Sequence, residues 1–171
     1  YLLGTGQPRD LLKAAEWLRQ AAEQGYKSAQ NDLGAMYRNG DGVEQNATQA
    51  VMWYQKAAMQ GDADAQHNLG LLYFQGEGVP QDLKKAAHWT GQAAEQGKAR
   101  AQFDFGVMHA AGKGVAQNMA LAAQWHRRAA ENGLVKAQVE LAVLHTTGQG
   151  VDHNLTKAYR WMSRAADKGH P

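Results

Sequence analysis

The chain has 171 residues, a formal net charge of +2, 44% hydrophobic and 20% charged residues, and no cysteine. This composition is typical of a globular protein, excludes a disulfide framework and thiolate metal sites, and lacks the strong basic surplus of a nucleic-acid-binding protein. The apolar stretches are short and interrupted by charge, so we expect neither a membrane-spanning helix nor a signal peptide in this sequence.

A fixed period organises the chain. Its five tryptophans stand 36 residues apart, at Trp17, Trp53, Trp89, Trp125 and Trp161. So large a side chain at one interval indicates a tandem array. We expect one repeat array over 1–171, with a partial repeat at 1–25 and full repeats at 26–61, 62–97, 98–133 and 134–169. Because residues 1–4 match the closing turn of a helix, we expect this sequence to be a piece of a longer array.

The residue pattern within each repeat predicts a pair of helices. In the first helix, Ala29, Leu33 and Met36 fall on one face of a 3.6-residue spiral. A G-x-G-V loop follows at Gly40, Gly76, Gly112 and Gly148, with a degenerate copy at Gly4. The second helix is expected to be capped by a side-chain oxygen of Asp10, Asn46, Asp82, Asn118 or Asn154. Its end is expected at a left-handed glycine, at Gly25, Gly61, Gly97, Gly133 and Gly169.

The tryptophans are expected to fill the space where neighbouring helix pairs meet. A buried tryptophan covers about 150 to 250 Å², and one pair cannot bury its apolar face alone, so stacking supplies the core. Gly91 lies inside a second helix, where glycine costs about 0.5 to 1 kcal/mol relative to alanine. We therefore expect that helix to be the least well formed of its type.

The pattern A-x-x-W-Y-x-K-A-A-x-x-G-x-x-x-A-Q-x-x-L-G-x-M-Y-x-x-G-x-G-V, from Ala50 to Val79 with Leu72 at the methionine place, resembles the Sel-1-like repeat, a relative of the tetratricopeptide repeat. The resemblance covers nearly the whole chain. It implies an all-α fold, a right-handed superhelical α-α solenoid of 36-residue helix-turn-helix repeats. It also implies that the chain is a bacterial adaptor or scaffold protein. The sequence does not fix the cellular compartment, although the periplasm or secretion is slightly favoured over the cytoplasm.

No motif indicates catalysis or a cofactor. The G-x-G-V loops lack the strand and the G-K-[ST] ending of a phosphate loop, and they recur between helices, which favours a structural role. His109 and His145 replace the tyrosine of earlier repeats and are expected to lie about 10 Å apart, too far to share an ion. We expect them to substitute for the aromatic ring and not to bind metal, and we expect the chain not to be an enzyme.

Positions that vary between repeats are the candidates for partner binding. Projecting 100° per residue from Leu33 places three positions of each first helix opposite the core. The resemblance implies that first helices line a concave wall, where an apolar set predicts a groove for a peptide or helix. The set comprises Asn31, Arg38, His67, Leu71, Phe74, Phe103, Val107 and Val139. We single out Phe74 and Phe103, while Leu71, Val107 and Val143 are open to a second interpretation, burial between repeats.

The sequence therefore predicts a non-catalytic scaffold that binds another protein or peptide, with no nucleic acid and no membrane insertion. Homo-oligomers are not indicated. Two alternatives remain, an immunity protein that neutralises a secreted toxin and a β-lactam-binding or hydrolysing enzyme, although no Ser-x-x-Lys motif supports the latter.

Charge is distributed unevenly along the chain. Residues 1–97 hold 8 basic and 11 acidic side chains, whereas residues 98–171 hold 10 basic and 5 acidic side chains. This difference in charge either orients a charged partner or reflects chance scatter on solvated faces.

Overall fold

The computed structural model describes residues 10–167. These residues form nine α-helices: α1 Leu11–Glu23, α2 Lys27–Asn39, α3 Ala47–Met59, α4 Ala63–Gln75, α5 Leu83–Glu95, α6 Ala99–Ala111, α7 Met119–Glu131, α8 Val135–Thr147 and α9 Leu155–Ala166. Every regular element in this range is a helix, which confirms the all-α prediction. The Gly4 loop and the helix end predicted at Gly169 lie outside the described residues.

The chain divides between Asp82 and Leu83 into two compact units. In the first unit, α1 packs on α2, α2 on α3 and α3 on α4. In the second unit, the same order of neighbours runs from α5 to α9. The even-numbered helices are the first helices of the repeats, and the odd-numbered ones are the second helices. A first helix such as α2 or α6 thus contacts the second helix on each side of it, as tandem helical arrays require.

The predicted caps of the second helices are confirmed at four positions. The side-chain oxygens of Asp10, Asn46, Asn118 and Asn154 accept backbone N–H groups of the first turn at 2.9–3.0 Å. The predicted glycine stops are also confirmed, since Gly25, Gly61, Gly97 and Gly133 have φ between 78° and 94°. The helix boundaries are therefore set locally, by polar caps at the start and left-handed glycine at the end.

The G-x-G-V loop has two structural tasks. Its first glycine, such as Gly112 at φ 65°, ends the first helix in the left-handed region, with its N–H donating to the Met108 carbonyl. Its second glycine, such as Gly114, lies against the backbone of Leu83 at the start of the preceding second helix. A side chain there would collide with that backbone, so the loop requires glycine for contact between repeats.

A buried glutamine in each Ala-Gln pair ties a first helix to the preceding second helix. The Nε2 of Gln102 donates to the Ala94 carbonyl at 3.1 Å, and that of Gln30 donates to the Ala22 carbonyl at 3.0 Å. Gln102 is only 4% exposed, so the bond satisfies a polar side chain that would otherwise be costly to bury. The recurrence of Ala-Gln therefore has a structural explanation.

The tryptophans do not share one environment. Trp53 and Trp125 are buried, and Trp125 packs against Ala93, Ala94 and Ala101, with its ring centroid 5.3 Å from that of Phe105. Trp161 is partly buried, and Trp89 is half-buried.

Trp17 is 60% exposed, so the prediction that every tryptophan fills a space between pairs is wrong there. Trp53 of α3 packs on Ala22 of α1, the preceding second helix.

Gly91 also corrects an expectation. It lies in α5, which is continuous over 13 residues like its neighbours, so this helix is not less well formed. A Cβ at Gly91 would lie 3.1 Å from Cζ of Phe105. The missing side chain thus lets the Phe105 ring pack on the α5 backbone, and this contact offsets the weak helix propensity of glycine.

The helices between residues 10 and 167 are 12 or 13 residues long. None of these helices has the length and apolar character needed to cross a bilayer.

Candidate functional site

In the first unit, two predicted binding residues hold neighbouring repeats together. Arg38 on α2 forms an ion pair with Glu77 at 3.0 Å and donates a second hydrogen bond to the Gln75 side chain at 3.0 Å. Asn31 accepts a hydrogen bond from Asn68 Nδ2 at 3.1 Å. Sequence reasoning missed these contacts because their partners lie 37 to 39 residues away.

The other predicted residues of the first unit lie on α4. His67, Leu71 and Phe74 are each half-buried. Leu71 thus remains between the two interpretations, since part of its side chain packs and part faces outward. Phe74 lies near the end of α4, where its backbone carbonyl accepts a hydrogen bond from Gln81 Nε2 at 2.8 Å.

Phe103 is a correction to the predicted surface. It is 7% exposed and belongs to an apolar cluster with Ala129, Ala137 and Leu141. Its ring centroid lies 4.9 Å from that of His126. The physical reason is that α6 has a second helix on each side of it, so more than one of its faces is covered. The 100° projection considered only the face that carries Leu33 and therefore misplaced Phe103.

The outward-facing positions of the second unit are valines. Val107 on α6 is 42% exposed and Val143 on α8 is 45% exposed, so the alternative of burial between repeats is wrong for both. Val139 on α8 is half-buried. Val107 and Val143 hold the same position in consecutive repeats. We call these two exposed residues, together with Val139, the valine surface.

The two histidines at the tyrosine position are buried. His109 is 8% exposed and packs edge-on against Phe105, with ring centroids 4.6 Å apart. His145 is 2% exposed, and its Nδ1 lies 3.2 Å from the Asp152 carbonyl. The ring contact of His109 is consistent with the predicted replacement of an aromatic side chain. Across residues 10–167, no three His, Cys, Asp or Glu side chains are grouped so that they could hold a metal ion.

His126 on α7 is a buried titratable group that the sequence did not single out. It is 2% exposed, and a Cβ on Gly106 would lie 2.8 Å from its Cε1. Burial lowers the pKa of His126 from 6.5 to about 4, against the opposing attraction of the Asp104 carboxylate. The imidazole is therefore neutral in the folded chain at physiological pH.

This lowered pKa predicts a loss of stability in mild acid. Between pH 6.5 and about 4, the unfolded chain binds a proton that folded His126 does not bind. The contribution of His126 to the free energy of unfolding is therefore complete above pH 6.5 and falls toward pH 4, by about 2 kcal/mol at pH 5. The variant His126→Thr carries the residue found at the equivalent Thr90. Urea unfolding at about pH 7.5 and about pH 5 is expected to show a pH-dependent loss smaller by about 2 kcal/mol in this variant.

The matched control is His153→Thr, since His153 is exposed. It should retain the pH dependence of the unsubstituted chain. Equal pH dependence in His126→Thr and the unsubstituted chain would contradict the assignment to His126.

A cavity of about 320 Å³ opens among α7, α8 and α9 in the second unit. We call it the basic cavity, and its lining residues are Arg127, Glu131, His145, Lys157, Arg160, Trp161 and Arg164. Sequence reasoning noted the surplus of basic residues after residue 97 but did not locate it. The signal was present in α9, where Lys157, Arg160 and Arg164 follow the spacing of one helix face.

Comparison with known proteins gives a consistent result. The model of the Sel1 repeat matches residues 1–26, 27–62, 63–98, 99–134 and 135–170. The crystal structure of a protective antigen of uropathogenic Escherichia coli, which displays an SLR fold, has 37% sequence identity and a TM-score of 0.95, over 99% of this chain and 36% of that chain. A Sel1 repeat protein of Oxalobacter formigenes has 35% identity and a TM-score of 0.92, over 100% of this chain and 70% of that one.

A Pseudomonas aeruginosa immunity protein shares the fold at 22% identity and a TM-score of 0.61, over 96% of this chain and 61% of that one. A search of curated proteins gave no match. The chain spans only about a third of the length of the Escherichia coli antigen. Five consecutive repeat matches and two similar structures above 30% identity agree with the helix pairs described above. The chain belongs to the Sel1 repeat family.

Proposed function

We propose that this chain is a non-catalytic protein-interaction scaffold that binds a protein or peptide partner on the outward faces of its first helices. Sel1 repeats are protein-interaction modules. The observation that carries the proposal for this chain is the exposure of Val107 and Val143, at 42% and 45%. Both lie at positions where the residue type varies between repeats, whereas most of the residues that recur between repeats pack in the core.

The frame makes these faces suitable for recognition. The ends of α6 and α8 are set by left-handed glycines, and Gln102 and Gln138 bond each of them to the preceding second helix. A rigid helix presents side chains without a large loss of conformational entropy on binding. An amphipathic partner segment would cover the valines as helix-in-groove complexes do.

In the first unit, Leu71 and Phe74 are the corresponding apolar residues that we assign to partner contact. Arg38 and Asn31 would act indirectly, because their side chains bond to Glu77 and Asn68 of the next repeat. His67 and Val139 complete the proposed contact set. Phe103 is left out because it belongs to the core.

The test uses peptides selected from a displayed library against the full chain. The double variant Val107→Glu with Val143→Glu should weaken binding of the selected peptides about tenfold or more, since charge replaces apolar contact. The matched control is Leu155→Glu with Met162→Glu, two residues that are 60% and 43% exposed on α9. The control introduces the same charge away from the first helices and should change affinity less than about twofold.

Circular dichroism should show unchanged helix content in both double variants. If the valine variant binds the selected peptides as well as the control does, the valine surface is not the contact surface and the proposal fails.

A further inference from the structure

We propose that the basic cavity is a second recognition site, which binds an acidic peptide segment of a protein partner. The inference rests on the proposed protein-binding function and adds the chemistry of one ligand. It uses the second helices α7 and α9, together with His145 of α8, and not the valine surface.

The basic cavity carries uncompensated positive charge. Arg127 on α7 and three cations on α9 surround a cavity that contains one carboxylate, Glu131. Within residues 10–167, none of these four cations forms an ion pair. The guanidinium of Arg164 stacks on Trp161, 4.8 Å from the ring centroid. Like charges at this spacing along α9 repel one another, and an anionic ligand would relieve that repulsion.

The equivalent positions of the first unit, 108 residues earlier in the repeat register, make a hydrogen bond that the basic cavity lacks. There, Arg19 donates a hydrogen bond to the Tyr37 hydroxyl at 3.0 Å. In the basic cavity, His145 stands at the tyrosine position and its Nδ1 contacts the Asp152 carbonyl. Arg127, the counterpart of Arg19, therefore has no tyrosine hydroxyl to bond.

Two further replacements change the charge at these equivalent positions. Neutral Gln49 and Met52 of the first unit become Lys157 and Arg160 in the basic cavity. The packing frame is retained, because Trp161 occupies the position of Trp53. The equivalent positions of the first unit hold Arg19, Glu23 and Lys56, a formal charge of 2 − 1 = +1, whereas the basic cavity has 4 − 1 = +3. The two replacements therefore strengthen the attraction for an anion.

The spread of the cations favours a peptide over a single phosphate. Lys157 and Arg164 are seven residues apart on α9, about 10.5 Å at 1.5 Å per residue. Four cations and one carboxylate give the cavity a formal charge of 4 − 1 = +3, which exceeds the charge of about −1.5 to −2 on one phosphate. Side chains on one side of an extended peptide recur about every 6.8 Å, so two acidic residues separated by one residue would reach cations on successive turns. Arginine forks bind such carboxylates in bidentate fashion.

The experiment measures binding of a fluorescein-labelled peptide of alternating Glu and Ser to the full chain, by fluorescence anisotropy at physiological salt. The double variant Arg127→Gln with Arg160→Gln should weaken binding about tenfold or more. The matched control, Lys84→Gln with Arg100→Gln, removes the same charge from exposed positions on α5 and α6. It should weaken binding less than about twofold. A peptide with Gln in place of Glu should not bind.

Three outcomes would overturn the inference: no binding of the acidic peptide, equal weakening in the two double variants, or a shift of the Trp161 indole N–H resonance with inorganic phosphate but not with the peptide. The last outcome would assign the cavity to a single phosphate. The result is separate from the test of the valine surface. Loss of acidic-peptide binding at the basic cavity leaves binding at Val107 and Val143 intact. Failure of the valine surface leaves binding of the Glu-Ser peptide at the basic cavity unchanged.

Discussion

Replacing Trp125 with alanine is expected to lower the free energy of unfolding by about 3 to 5 kcal/mol. Trp125 is 7% exposed and lies in a cluster with Ala93, Ala94 and Ala101. The alanines of this cluster have no longer side chains that can rotate into the vacated volume, although the larger Phe105 and Leu121 also pack against it. Part of the cavity therefore persists, and the contact between α7 and the helices before it is lost along with the transfer free energy of the indole.

The repeat supplies a matched control at the same register position. Trp17 is 60% exposed, so Trp17→Ala should cost less than about 1 kcal/mol. Urea unfolding gives the two free energies, and hydrogen exchange should show faster exchange in α6 and α7 for Trp125→Ala only. Equal losses in the two variants would contradict the assignment of Trp125 to the core of the second unit.

The repeat frame could be predicted from the sequence because its signals are local and repeated. Asn46 and Asn118 cap second helices, and Gly61 and Gly97 end them, through bonds and angles within a few residues. Such features follow from backbone geometry and recur in phase, so each repeat supports the interpretation of the next. The burial of Ala29, Leu33 and Met36 followed from helical periodicity for the same reason.

The candidate surface was less predictable because exposure depends on what packs on a helix from outside its own repeat. Phe103 and Val107 are one turn apart on α6, yet the first is buried and the second is 42% exposed. Projection around one helix cannot separate them, since the difference comes from α7 and α8. The basic cavity was missed for a related reason, because Arg127 and Lys157 come from different helices.

The second large effect is expected for Gly114→Ala, which should lower the free energy of unfolding by about 2 to 5 kcal/mol. Two costs combine at this position. Its φ of +77° lies in the left-handed region, which costs an alanine about 1 to 2 kcal/mol. An added Cβ would also collide with the carbonyl group of Leu83 and lie 3.2 Å from Cβ of Ala87. These atoms belong to α5, so relief requires movement of a helix backbone rather than rotation of a side chain.

The matched control separates the two costs. Gly97 has a φ of +87°, but a Cβ there would meet no atom within 4 Å. Gly97→Ala should therefore show only the backbone penalty of about 1 to 2 kcal/mol. Urea unfolding gives the free energy of unfolding of both variants, and the difference between their losses is the cost of the collision. If the two variants lose the same stability, the loop does not press on α5. In that case the second glycine of the G-x-G-V loop would serve only its own backbone conformation, and contact between repeats would not explain its recurrence at Gly42, Gly78, Gly114 and Gly150.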